Sequence, residues 1–121
     1  MSDDSTYLAI YLGTMDSPKV AAWNAMPEAE QKAKGREGLA AWHAWVETHK
    51  DAIVVMGGPL GKTKKIGPAG IEDISNGLSG FTVVRAASFE AAARMFEDHP
   101  HFALFPGDSV ELMPVLPVPG M

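Results

Sequence analysis

The sequence predicts an α+β protein of the ferredoxin-like βαββαβ type: a four-stranded antiparallel sheet with its helices on one face. Three observations predict it. Apolar runs and amphipathic stretches follow one another in the order strand, helix, strand, strand, helix, strand. The 121 residues suffice for one sizeable hydrophobic core. At 46% hydrophobic and 21% charged residues, the composition is that of a globular chain and not of a disordered one. Residues 1–121 therefore read as a single domain. Its core is expected over 6–117, a long loop or hairpin over 61–77 and a C-terminal tail over 116–121.

Tyr7 to Leu12 is short, apolar and aromatic and stops at Gly13, which reads as the first strand. Asp16-Ser17-Pro18 is a helix start, a capping side chain followed by proline at the first helical position, so a short helix is expected over Lys19 to Ala25. Pro27 interrupts it, and Glu28 to Lys50 forms the long helix. Its apolar face is predicted at Leu39, Trp42, His43 and Val46, with Trp45 well away from it. Ile53 to Met56 reads as a buried strand closed by Gly57-Gly58-Pro59. Gly61 to Gly77 is polar, rich in lysine and glycine, with turn signals at Gly67-Pro68 and Asn76-Gly77; a hairpin and a mobile flap both fit. Phe81 to Ala86 is the third core strand, and Ser88 caps a helix striped by Phe89, Ala92, Ala93 and Phe96. His99-Pro100-His101-Phe102 ends it, and Val110 to Val115 is the last strand. The prolines from Pro114 to Pro119 keep the end of the chain extended.

Two helices cover one face of such a sheet and leave the other open. Apolar positions alternating along Leu8, Ile10 and Leu12, and Val83 beside Arg85, then need a partner. A homodimer joined through the sheet faces is the simplest one.

Charge and composition exclude several function classes. Fifteen acidic residues against ten basic ones give a net charge of −5, which argues against general binding to nucleic acid or an anionic membrane. The absence of cysteine rules out disulfides, thiolate metal sites and cysteine nucleophiles. No apolar run approaches the roughly 20 residues that span a bilayer. Met1 to Thr6 is polar and acidic and lacks the pattern of a secretory signal, so a cytoplasmic protein is expected. Gly57-Gly58-Pro59 and Gly61-Lys62-Thr63 are not phosphate loops, because no Gly-Lys-Ser/Thr opens a helix. No cofactor is expected.

Candidate site residues are few. His43 suits a general base, since an imidazole titrates at about pH 6.5 and burial keeps it neutral; a core histidine bonded to backbone is the competing reading. His99 and His101, two residues apart on extended chain, point the same way. They line a pocket, or a cationic histidine caps the preceding helix; metal binding is disfavoured without a Glu-x-x-His or His-x-x-x-His beside them. Asp73 and Asn76 either contact a polar ligand from the long connection or make turns, and turns are favoured. Lys62, Lys64 and Lys65 attract an anionic ligand or form a solvated run. Asp108 and Glu111 are further acids, with Glu111 facing opposite to Val110 and Leu112, toward pocket or solvent. Trp23, Trp42 and Trp45 stack on a ligand or fill the core, Trp42 being the one expected at the pocket.

The order of these pieces resembles a known family. Gly58-Pro59-Leu60 after a buried strand, then Ser88-Phe89-Glu90-Ala91-Ala92, a helix-end proline motif and Val110-Glu111-Leu112-Met113-Pro114-Val115 are similar to the YciI-related (YCII, or DGPF-type) family. Ala41-Trp42-His43-Ala44-Trp45-Val46 and His99 through Glu111 resemble a bacterial branch of it. The resemblance runs from Tyr7 to Pro119. It implies a dimeric α/β barrel, in a superfamily whose activities include dehydrochlorination and muconolactone-type isomerisation, both proton transfers without a cofactor. Members near the founding protein carry a histidine on the first helix and an aspartate in an Asp-Pro-aromatic motif after the second. His43 stands at about the first position, and His99 stands where the aspartate would be. A histidine–histidine pair disfavours its own double protonation, so the dyad is not carried over intact.

Two functions follow. One is a cofactor-independent lyase or isomerase using histidine acid–base chemistry on a small anionic or aromatic molecule. In it His43 is the base, His99 the acid or orienting partner, and His101, Trp42, Asp73 and Asn76 contact the ligand. The other is a non-catalytic module that binds a small molecule or another protein. The first requires the imidazoles to converge on one pocket between helices and sheet, rimmed by the loop after the second helix and by Gly61 to Gly77.

Overall fold

The computed structural model describes residues 4–121; the expectation for Met1 to Asp3 lies outside the described residues. The elements follow in the order β1 (Ser5–Leu12), α1 (Pro18–Ala25), α2 (Glu28–His49), β2 (Ile53–Pro59), β3 (Thr63–Gly67), β4 (Gly70–Ile74), β5 (Leu78–Ala86), α3 (Phe89–Met95), α4 (Pro100–Ala103) and β6 (Ser109–Pro114). Four strands form one sheet in the order β2-β5-β1-β6, every neighbour antiparallel. This is an α+β fold with a four-stranded antiparallel sheet and helices against one face. Residues 61–77 carry a separate two-stranded hairpin, β3–β4, held across the ladder by Lys64–Asp73 at 2.8 Å and Lys65–Glu72 at 3.4 Å.

Side-chain alternation divides the sheet into two faces. Tyr7, Ala9 and Tyr11 of β1 lie opposite Val84, Thr82 and Gly80 of β5, and all are buried. Trp45, Ala92 and Phe96 pack on this face and complete the core. The intervening residues Leu8 and Ile10 lie opposite Val83 and Phe81 on the other face, where Val55 and Met113 remain 47% and 41% exposed.

Helix starts follow local chemistry. Ser17 accepts from the Val20 N–H at 3.2 Å ahead of Pro18, and Ser88 accepts from the Ala91 N–H at 3.0 Å. Gln31 donates to the Trp23 carbonyl at 2.8 Å, tying α2 to α1.

The buried face of α2 differs from the predicted one. Trp45 is only 9% exposed, while Leu39 is 55% exposed and His43 is exposed. The buried line runs through Gly38, Trp42 and Trp45, about one position round the helix. The indole explains the rotation. Trp45 Nε1 donates at 2.7 Å to the Met95 carbonyl, in the last turn of α3 where helical carbonyls lack intrahelical partners. The alanine-rich helix offers little apolar contrast to oppose it. Among the described residues, no helix is long and apolar enough to cross a membrane.

Candidate functional site

A cavity of about 390 Å³ opens where α2 and the α4–β6 loop pass over the end of the sheet. That volume suits a small molecule. Tyr11 and Thr82, both buried, are among its lining residues. Trp42, Phe105 and the segment Met56 to Pro59 also line it, and the exposed Leu39 and His43 stand at its rim. Its surface is mostly apolar, with few polar groups to orient a ligand.

The β2 edge of the cavity depends on an irregular backbone. Pairing between β2 and β5 shifts register between Val55 and Gly58, and Gly57 sits at φ 68°. A Cβ there would lie 2.0 Å from the Phe81 carbonyl oxygen, so only glycine lets β2 curve away from β5 at this point.

His101 reaches the cavity from α4. Its Nε2 lies 2.7 Å from the Leu12 carbonyl oxygen. A carbonyl only accepts, so Nε2 carries the ring proton and Nδ1 of the neutral imidazole is a lone pair. Nδ1 makes no hydrogen bond among the described residues. Burial, with the Lys19 charge nearby, lowers the His101 pKa; the bond to Leu12 and the Asp108 charge oppose the shift. The ring thus remains neutral and basic near pH 7. Lys19 Nζ fixes the loop around it by donating to the Phe102 carbonyl at 2.7 Å and the Gly107 carbonyl at 2.6 Å. Gly107 lies so close that a Cβ would come within 2.3 Å of the imidazole.

His99 is placed differently from the sequence expectation. The His99–His101 stretch is not extended: His99 is the N-cap of α4, and its Nδ1 accepts from the His101 N–H at 3.0 Å. Its side chain turns into the core, with none of its surface exposed, and does not line the cavity. Nδ1 is the acceptor, so Nε2 carries the proton, and it has no hydrogen-bond partner. The rings of Trp42 and Trp45 meet it edge-on at centroid distances of 4.5 and 4.8 Å, with Tyr11 at 5.2 Å, leaving only weak N–H to π contacts. Burial first, then charge on His101 and His49, lowers its pKa to about 4, so both members of the pair are neutral near pH 7.

His43, His101 and Trp42 therefore meet at one cavity, and His99 supports it from behind. Asp73 and Asn76 do not line it: Asp73 pairs with Lys64, and Asn76 Oδ1 accepts from the Leu78 N–H at 2.9 Å in a local turn. No residue of Gly61 to Gly77 forms the expected rim, because the hairpin pairs with itself. Glu111 lies opposite Ile10 on the open sheet face, and Asp108 Oδ2 accepts from Thr14 Oγ1 at 2.6 Å. Among the described residues, no group of three His, Asp or Glu side chains converges where it could hold a metal ion.

Sequence reading missed Tyr11, Thr82, Met56 and Phe105. A tyrosine and a threonine on alternating core positions of two strands carry a signal, since a buried hydroxyl needs a partner. Only the strand register shows that they serve each other.

No family model matches the chain, and no curated protein matches it. Among solved structures, it is similar to 5-chloro-2-hydroxyhydroquinone dehydrochlorinase from Burkholderia phenoliruptrix, determined in complex with 2,5-dihydroxybenzoquinone. The TM-score is 0.50 at 18% sequence identity, and the match covers 89% of this chain and 90% of that one. The shared feature is the fold. This chain has the fold of the dimeric α/β barrels.

Proposed function

We propose that the chain is a cytoplasmic, cofactor-independent lyase or isomerase of the YciI-related kind. It moves a proton on a small aromatic or anionic molecule by histidine acid–base chemistry and works as a homodimer joined through its open sheet faces. One observation carries this reading: a neutral imidazole, His101, whose tautomer is set by Leu12 and whose Nδ1 lone pair is free, lines a small apolar cavity together with a second imidazole, His43. The dehydrochlorinase that shares the fold supports it, since by its name that enzyme removes chlorine and hydrogen from a hydroxylated ring.

In this reading His101 Nδ1 takes a proton from the substrate. The electron pair released forms a new double bond. In a lyase it expels a leaving group from the adjacent carbon with its bonding pair. In an isomerase it shifts the double bond, a proton is added at a different carbon by His43, and His101 releases its own to water. His43 at the rim protonates the leaving group or the new carbon, Trp42 supplies an aromatic wall, and His99 acts as a positioning residue through its bond to the His101 backbone.

Chloride release from 5-chloro-2-hydroxyhydroquinone and absorbance change of a muconolactone test it directly. The wild type is expected to turn over one of them. His101→Ala should lose about 10²- to 10⁴-fold in kcat, and His43→Ala a measurable part of it, with melting temperatures showing both folded. The acid limb of the rate profile should lie below pH 6.5, because the base must be neutral and burial lowers its pKa. Thermal stabilisation by these compounds without turnover would make the protein a binding module instead. Unchanged turnover in His101→Ala would remove His101 as the base.

A further inference from the structure

The hydroxyls of two residues that line the cavity form a chain that can run in only one direction. Thr82 Oγ1 lies 2.9 Å from the Met56 carbonyl oxygen, which only accepts, so the single Thr82 hydroxyl proton goes there. Tyr11 Oη lies 2.8 Å from the same Thr82 oxygen. With the Thr82 proton committed, this contact requires Tyr11 to donate. The order is Tyr11 to Thr82 to Met56, and Tyr11 Oη keeps lone pairs alone. All three residues line the cavity.

The tyrosine is held in this role. Trp42 packs against its ring at 5.1 Å, and Gly80 leaves space that a Cβ would fill to within 3.1 Å of Tyr11 Cδ2. Burial raises its pKa, so the phenol stays protonated and keeps donating to Thr82. The centroid of the His101 ring, whose Nδ1 is free, lies 5.4 Å from that of the Tyr11 ring, and both residues line the cavity.

We propose that Tyr11 Oη is a hydrogen-bond acceptor for the ligand, its polarity set by Thr82, and that it selects a ring bearing a donating hydroxyl. An ether, a quinone oxygen or a carboxylate at that position would meet lone pairs facing lone pairs. The inference rests on the reading of this cavity as a site for small aromatic molecules and names the group the molecule must carry.

Phenol and anisole differ by the hydroxyl proton and are the probes, with affinities measured by calorimetry. The wild type is expected to bind phenol about three- to tenfold more tightly than anisole, the equivalent of one neutral hydrogen bond. Thr82→Val frees the Tyr11 proton to point at the ligand, so the preference should collapse to within about twofold as anisole gains. Thr82→Ser should retain it. Tyr11→Phe should abolish it and stands in should Thr82→Val not fold. Equal affinities in the wild type, or an undiminished preference in Thr82→Val or Tyr11→Phe, would overturn the assignment of Tyr11. Binding of neither probe to a folded wild type would overturn the reading of the cavity itself, and the inference with it.

Discussion

His99 shows how one side chain can be costly alone and useful in place. It caps α4 with one nitrogen and leaves the other without a partner among aromatic rings. The cap and ring contacts hold the His101 backbone, and the enclosed imidazole cannot accept a proton cheaply. This has a sign. The folded pKa of about 4 lies below the ordinary histidine value of 6.5, so between these values the unfolded chain binds more protons than the folded one. Stability should therefore fall as pH drops from about 6.5 to about 4, by on the order of 3 kcal/mol, and level off below. His101 and His49, whose pKa values are also lowered by burial, add in the same direction. His99→Asn keeps a capping oxygen and removes the titration. Urea midpoints at pH 7, 5.5 and 4.5 should show a shallower pH dependence in this variant; an unchanged slope would acquit His99.

At the scale of elements, the cavity exists because β2 does not follow β5 regularly. Gly57 takes a left-handed φ directly against the Phe81 carbonyl, and Met56 to Pro59 border the cavity beside it. Gly57→Ala should destabilise by about 2–3 kcal/mol through backbone strain and this clash. Gly58→Ala, with nothing within 4 Å of its Cβ position, should stay within about 0.5 kcal/mol. Equal midpoints for the two in urea would show that the bend does not depend on Gly57. The long helix makes the complementary point. Its start, length and the Pro27 break were readable from sequence, but its rotation was not, because Trp45 is oriented by an acceptor on α3 some fifty residues later.

The whole molecule has one covered sheet face and one open one. On the open face Val83 of β5 sits between Leu8 of β1 and Val55 of β2. If this face is the homodimer contact, light scattering should give twice the chain mass of 12.9 kDa at micromolar concentration. Val83→Glu should return it to 12.9 kDa, since a carboxylate in the middle of an apolar interface has no partner. A wild-type protein that runs as a monomer, or a Val83→Glu variant that stays dimeric while folded, would refute the contact. The lysines at 64 and 65 pair with Asp73 and Glu72 across the hairpin and do not line the cavity.

The sequence by itself determined what depends on neighbours along the chain. Ser17-Pro18 and Ser88 start their helices, Gly67-Pro68 turns a hairpin, alternation in Tyr7 to Leu12 makes a two-faced strand, and the order of these pieces leads to the fold class. It also brought His43, His101 and Trp42 forward as site candidates, because imidazoles and an indole on apolar segments are conspicuous. Only the tertiary structure decided which histidine faces the cavity. His99 and His101 differ by a helix turn that begins between them, and the partners that fix their tautomers, the His101 amide and the Leu12 carbonyl, differ in kind. The second lies 89 residues away in the chain. The same holds for Tyr11 and Thr82, which are 71 residues apart and become a directed pair only through the register of β1 on β5. Hydrogen-bond direction depends on which acceptor each donor meets, and for partners this distant in sequence that is a property of packing.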